Sequence, residues 1–264
     1  MIKKIPIYQA DAFTDKLFGG NPAAICPLNT EWLPTPMMQH IAAENNLAET
    51  AFFIQQGHDY ELRWFTPEAE IDLCGHATLA SAHILFSELG YDKALIHFHT
   101  LKAGTLTVSR DKETYQMDFP SRMPVACEAP DGLIDALKCV KPVQVLQSRD
   151  YLVIFEKEED ILAINPDFNA LSKIDTLGII VTAPGKNSDF VSRMFAPAVG
   201  VNEDPVTGSS HCSLIPYWGE KLGKKKLHAY QVSSRRGELW CEWQGDRVLM
   251  AGKAVTYLKG EISI

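Results

Sequence analysis

Four side chains in this 264-residue sequence could move or steer a proton: Glu49, His76, Asp204 and Ser209. Carboxylates and imidazoles are the common agents of general acid–base catalysis, and a serine hydroxyl can hold an anion or relay a proton. His76 directly follows Gly75, and Ser209 directly follows Gly208. Each glycine opens a segment expected to be helical. The first amides of a helix have no intrahelical acceptor and carry the positive end of its dipole, so a carboxylate or a developing oxyanion is stabilised there. Two such starts facing one cleft would grip an organic acid from both ends, with Gly75 and Gly208 as substrate-binding residues.

The flanks of the two glycines match. One copy reads Arg63-Trp64-Phe65-Thr66-Pro67, then Cys74-Gly75-His76, and ends at Leu89-Gly90. The other reads Arg193-Met194-Phe195-Ala196-Pro197, then Asp204-Pro205-Val206-Thr207-Gly208-Ser209, and ends at Leu222-Gly223. The step from Gly75 to Gly90 equals that from Gly208 to Gly223. A single glycine of this kind is an ordinary turn residue. Recurrence with matched flanks instead implies an internal duplication.

Each candidate has a structural alternative. Glu49 lies at a helix-to-strand junction before Ala51-Phe52-Phe53-Ile54, where it is either a solvent-facing helix-end residue or a proton carrier at the mouth of a strand. The corresponding junction, Asp175-Thr176-Leu177-Gly178, has no carboxylate at that place. The helix dipole beside His76 favours a neutral imidazole. Asp204 either caps the loop entering its helix or faces His76, and spacing does not separate it from Glu203. His97-Phe98-His99 puts two imidazoles on one strand face without a third ligand in view, so no metal site is expected. Cys74 and Cys212 are read as packing residues.

Bulk properties narrow the function further. Hydrophobic residues make up 46% and charged residues 22%, the balance of a globular protein. A formal charge of −8 with no long basic tract argues against a nucleic-acid partner. Lys224-Lys225-Lys226 falls at an expected helix C-terminus, where the dipole favours cations. The start of the chain shows no signal core, no apolar run approaches a membrane span, and six scattered cysteines lack Cys-x-x-Cys spacing. Cytoplasmic residence with reduced thiols is expected, without membrane association. The sequence has no Gly-x-Gly-x-x-Gly or Walker loop, which argues against a nucleotide cofactor.

Strands are expected at Ile5–Phe13, Ala51–Ile54, Tyr60–Phe65, Ile96–Thr100, Thr105–Ser109 and Tyr115–Phe119, with a helix from Pro36 presenting Met37, Met38, Ile41 and Ala42. The helix after Gly75 is apolar around most of its circumference and must be enclosed. The second half repeats this plan, except that Pro216 interrupts its central helix and should kink it. The expected fold class is α+β, with two similar domains, each a curled, mostly antiparallel sheet around a central helix. The domains run 1–118 and 119–252, and a final strand within 253–264 would return to the first.

Phe18-Gly19-Gly20-Asn21-Pro22-Ala23-Ala24, Leu47-Ala48-Glu49-Thr50-Ala51-Phe52, Arg63-Trp64-Phe65-Thr66-Pro67, Asp72-Leu73-Cys74-Gly75-His76-Ala77-Thr78 and Glu203-Asp204-Pro205-Val206-Thr207-Gly208-Ser209 together resemble the PhzF-like isomerases of the diaminopimelate-epimerase fold. The resemblance spans essentially the whole chain. It implies an interdomain site, no cofactor and, as is frequent in the family, a homodimer. It also implies Glu49 as proton shuttle, His76, Asp204 and Ser209 as accessory catalytic residues, and Asn21 at the substrate. Two-thiol epimerases of this architecture carry a cysteine after each helix-start glycine, whereas His76 and Ser209 stand there in this chain. Serine is too weak a base for that role. The function expected is therefore isomerisation of a small carboxylic acid by transfer of a proton and a double bond. An amino-acid or hydroxy-acid epimerase using Glu49 and His76 as opposed bases is the alternative, and a non-catalytic metabolite-binding protein the alternative of another class.

Overall fold

The computed structural model describes residues 3–264. Its first elements are β1 (Lys4–Ala12), β2 (Asn21–Leu28), α1 (Thr35–Asn45), β3 (Glu49–Gln56), β4 (Asp59–Phe65), β5 (Glu70–Ile71), α2 (Gly75–Ser87), β6 (Leu95–His99), β7 (Thr105–Asp111) and β8 (Thr114–Pro120). They are followed by β9 (Val125–Ala126), α3 (Leu133–Leu137), β10 (Gln144–Gln147), β11 (Tyr151–Ile154), α4 (Glu158–Ala163), α5 (Phe168–Leu171), β12 (Ile179–Pro184), β13 (Phe190–Ala196) and β14 (Val201–Asp204). The chain ends with α6 (Gly208–Leu222), β15 (Lys226–Gln231), β16 (Gly237–Gln244), β17 (Arg247–Gly252) and β18 (Ala254–Ser263). Two units divide it: one reaches Asp118 and resumes at Ala251–Ile264, and the other is Phe119–Met250.

In the first unit, every residue of α2 from His76 to Phe86 is buried. A helix apolar on all sides needs cover all round, and β1, β2, β3, β7 and β18 pack against it. Full burial is worth about 1.5–3 kcal/mol for each large apolar side chain, so Leu79, Ile84, Leu85 and Phe86 tie the helix firmly to its sheet. β2 and β3 pair in parallel, β3 and β4 antiparallel, and β4 and β6 in parallel. Ala51, Phe52, Phe53 and Ile54 are consecutive and all buried, as befits a strand covered on both faces. β18 pairs antiparallel with β1, from Lys4 opposite Ser263 to Ala12 opposite Ala254. On α1, Met38, Ile41 and Ala42 are buried as expected, but Met37 faces outward.

The second unit uses the same pairing grammar. β11 and β12 are parallel, β12 and β13 antiparallel, and β13 and β15 parallel. Its central helix, α6, packs on β15 and β16. Trp218 of α6 stacks on Phe190 with ring centroids 5.8 Å apart and donates its indole N–H to Thr182 Oγ1. The short α3 and α4, and the strands β5, β9 and β14, are absent from the sequence expectation. Two to six residues give too little periodicity to register.

Duplication extends to side chains. Arg63 binds Glu70 through Nε and Nη2 at 2.7 and 2.8 Å and lies over the ring of Phe65. Arg193 binds Glu203 in the same way at 2.8 and 2.9 Å and lies over the ring of Phe195. In each copy the arginine of Arg-x-Phe clasps a glutamate on the short strand that leads toward the central helix. Pro216 does not end α6, which runs on to Leu222 and closes on a left-handed Gly223. Because proline has no N–H, the Cys212 carbonyl loses its usual helical donor, and the backbone N–H of Arg122 takes that place at 2.8 Å.

Candidate active site

Glu49 is the first residue of β3, held opposite Ala23 by the parallel pairing with β2. His76 is the second residue of α2. Glu49 Oε2 and His76 Nε2 are 3.0 Å apart, with side-chain exposures of 16% and 5%. Both atoms are buried, and neither makes an angularly proper hydrogen bond. Glu49 and His76 are therefore paired by proximity and retain unused hydrogen-bonding capacity. No substrate carbon fits between groups this close.

Asn21 fixes the other side of the ring. It is fully buried, and its Nδ2 lies 3.1 Å from His76 Nδ1. The Asn21 amide can serve either state of the ring: its N–H donates to Nδ1 of a neutral imidazole, whose proton then sits on Nε2 toward Glu49, and its carbonyl, turned inward, accepts from Nδ1–H of a charged one. Gly20 makes this placement possible. Its φ is +59°, and a Cβ would run into the carbonyl oxygen of Ala12, so the turn that delivers Asn21 needs glycine.

The neutral imidazole expected from the helix dipole is not the form that this environment favours. Burial opposes charge on His76, but the Cys74 sulfur and the Glu49 carboxylate outweigh it and hold its pKa well above the ordinary histidine value. Cys74, read from sequence as packing, is the N-cap residue of α2, and its Sγ is 3.5 Å from His76 Nδ1. Burial, and then the charge of Glu49, push its thiol up. Ligand atoms of Glu49, Cys74 and His76 lie within 4.8 Å of one another and could hold a metal ion. His97 and His99 instead share the exposed carboxylate of Asp59.

In the second unit, Asp204 ends β14 and Ser209 follows Gly208 at the start of α6. Thr207 Oγ1 donates to Asp204 Oδ2 at 2.6 Å. Buried Gln231 braces the same loop, donating to the Asp204 carbonyl and accepting from the Thr207 N–H. Ser209 Oγ accepts from Arg149 Nη2 at 2.9 Å. Glu203, which spacing could not separate from Asp204, is engaged by Arg193. Neither α2 nor α6 has a side-chain hydrogen bond capping its start, so Gly75 and Gly208 open helices whose first amides suit an anion. Sequence reasoning did not find Arg149, which lies in a turn outside the duplicated motifs, or the partnership of Asn21 with His76, which joins residues 55 apart.

Among the described residues, no helix is long and apolar enough to cross a membrane, and all six cysteines are free. The profile of the family described as "Phenazine biosynthesis-like protein" matches residues 10–260. An uncharacterized isomerase of Pseudomonas aeruginosa is 48% identical over 261 residues, covering 99% of this chain and 100% of that protein. The crystal structure of a PhzF-family phenazine biosynthesis protein from Enterococcus faecalis superposes with a TM-score of 0.95 at 46% identity, covering 98% of this chain and 99% of the other. A predicted epimerase from Pseudomonas aeruginosa has a TM-score of 0.72 at 18% identity, covering 98% and 99%, a likeness of fold.

Proposed function

Because this chain belongs to the phenazine biosynthesis-like family, we propose that it is a cofactor-independent isomerase that relocates a proton, and with it a double bond, in a small carboxylic acid. Glu49 carries the proton. His76, held by Asn21, stabilises the carboxylate between its two roles and donates toward the developing charge. The open amides after Gly75 and Gly208 stabilise negative charge on the substrate. Asp204 and Ser209 are accessory residues of the same reaction, a role supported by the twinned helix start and by the resemblance in sequence.

The contact of Glu49 with His76 carries this reading. Two bases that invert one carbon must approach it from opposite faces, and a pair 3.0 Å apart is poorly placed to do so. One carboxylate that takes up a proton and returns it nearby suits isomerisation. The name isomerase borne by the Pseudomonas relative supports the same class.

Incubating the protein in deuterated water with a panel of small carboxylic acids tests the proposal. Label entering together with a shifted double bond supports it. Label at a single α-carbon with inversion favours an epimerase, and tight binding without exchange favours a metabolite-binding protein. Cytoplasmic residence and a homodimer belong to the same proposal. Fractionation of the source cells and sedimentation equilibrium check them.

A further inference from the structure

We propose that Arg149 is the residue that selects a carboxylate on the substrate, docking that group against the start of α6. The inference rests on the proposed function only in taking Ser209 as part of the binding site.

Arg149 and Asp150 form a braced pair. The Asp150 carboxylate is 2% exposed, and Arg149 meets it through Nε at 3.1 and 3.2 Å and through Nη2 at 2.8 Å. A buried carboxylate is costly unless paired, so this one fixes the guanidinium in a single orientation. The second Nη2 hydrogen goes to Ser209 Oγ at 2.9 Å. Every N–H on Nε and Nη2 is then used. Among the described residues, Nη1 has no partner, and the Arg149 side chain remains 35% exposed. An arginine serving merely to neutralise Asp150 would need neither the bond to Ser209 nor a free end.

The free donors gather at one place. The two N–H groups of Nη1 point away from Asp150, and the Ser209 hydroxyl, having accepted from Nη2, keeps its own proton to donate. Both stand at the start of α6, where no side chain caps the first amides. A carboxylate with two acceptor oxygens suits one Nη1 N–H of a fixed guanidinium plus a hydroxyl. The surrounding charge agrees: Arg122, Arg149 and Arg247 all act on the Cys212 thiol one turn into α6, although its burial prevails and pushes it up to about 11. Asp204 is the opposing charge nearby in sequence, and it accepts from Thr207.

The two helix starts differ in what they leave unused: at α2 Glu49 and His76 face each other, whereas at α6 Arg149 is held by Asp150 and Ser209 and keeps Nη1 for a further acceptor. Carboxylate recognition falls to the second and proton chemistry to the first.

Fluorine NMR titration of the full chain with 4-fluorobenzoate and with 4-fluorobenzamide, nearly isosteric but neutral, tests this. The wild type should favour the acid by about tenfold, the scale of a charge-assisted hydrogen bond. Arg149→Gln alone strands Asp150, so it is combined with Asp150→Asn, and that double variant should lose the preference. Arg149→Lys should keep part of it, because the positive charge remains without the guanidinium geometry that Asp150 and Ser209 fix. A wild type that does not favour the acid, or an Arg149→Gln/Asp150→Asn chain that still does, overturns the proposal. The readout requires no turnover, so its failure leaves the proton role of Glu49 standing, and failure of that role leaves this result unaffected.

Discussion

Glu49 Oε2 lies 3.0 Å from His76 Nε2 in a buried contact that neither atom completes as a well-aligned hydrogen bond. A carboxylate that only stabilised a helix start would be expected to align with its donors. This one is placed instead by strand pairing at Ala23, while its neighbour is placed by Asn21. Backbone register and a separate buried amide thus bring together two groups whose facing atoms, Glu49 Oε2 and His76 Nε2, complete no hydrogen bond, an arrangement suited to a site that takes a ligand.

Replacing Glu49 tests the proposed role directly. Glu49→Gln preserves size and most contacts but cannot accept a proton, so deuterium uptake should fall by about 10²–10⁴-fold, the usual contribution of a general acid–base group. Ligand affinity measured by calorimetry should change little. Full exchange activity in this variant would remove Glu49 from the mechanism.

His76 gives a pH signature of known sign. Its folded pKa is raised above the unfolded value of about 6.5, so its contribution to stability is fully present below that pH and is lost as pH climbs through the folded value. The advantage of the wild type over His76→Gln in urea unfolding should therefore be largest at mildly acid pH and shrink on going alkaline. An advantage that stays constant with pH would mean that His76 takes no extra proton in the fold.

The clamp of Arg193 on Glu203 separates the proposed roles of Glu203 and Asp204. Glu203→Gln weakens both charge-assisted bonds to Arg193 and should cost about 1.5–3 kcal/mol of stability, read by urea denaturation, with deuterium exchange per folded molecule unchanged. Asp204→Asn should lower exchange per folded molecule by about 10²-fold. Exchange lost with Glu203 and kept without Asp204 would reverse the assignment.

These neighbours show what the sequence could and could not reveal. Both central helices, both opening glycines and the two Arg-x-Phe segments are local patterns, and the structure repeats them down to the stacked rings. What Glu203 binds was not legible, because its partner Arg193 is ten residues away on another strand. Arg149 escaped notice for a related reason. Its meaning comes from a buried neighbour and from a serine 60 positions away, and neither contact leaves a periodic trace. The donor that replaces the N–H missing at Pro216 was equally illegible, since the Cys212 carbonyl is satisfied by Arg122 from a distant loop. Local chemistry announces elements, while long-range contacts decide which polar groups are spent and which remain for a ligand.

The remaining buried imidazoles should titrate in the opposite sense to His76. Burial pushes His83 and His211 down to about 4, and no carboxylate touches either ring as Glu49 touches His76. His211 Nδ1 is 2.8 Å from the Thr207 carbonyl, which a neutral ring satisfies by donating its one proton. Each residue takes a proton near pH 6.5 when unfolded but resists it when folded, so stability is lost as pH falls from about 6.5 toward 4, by about 3 kcal/mol for each ring. Following the ring resonances by NMR should show both flat through the range where exposed histidines titrate, with the urea midpoint dropping over the same interval. A ring that titrates near 6.5 in the folded protein would show that it is not held neutral by its surroundings.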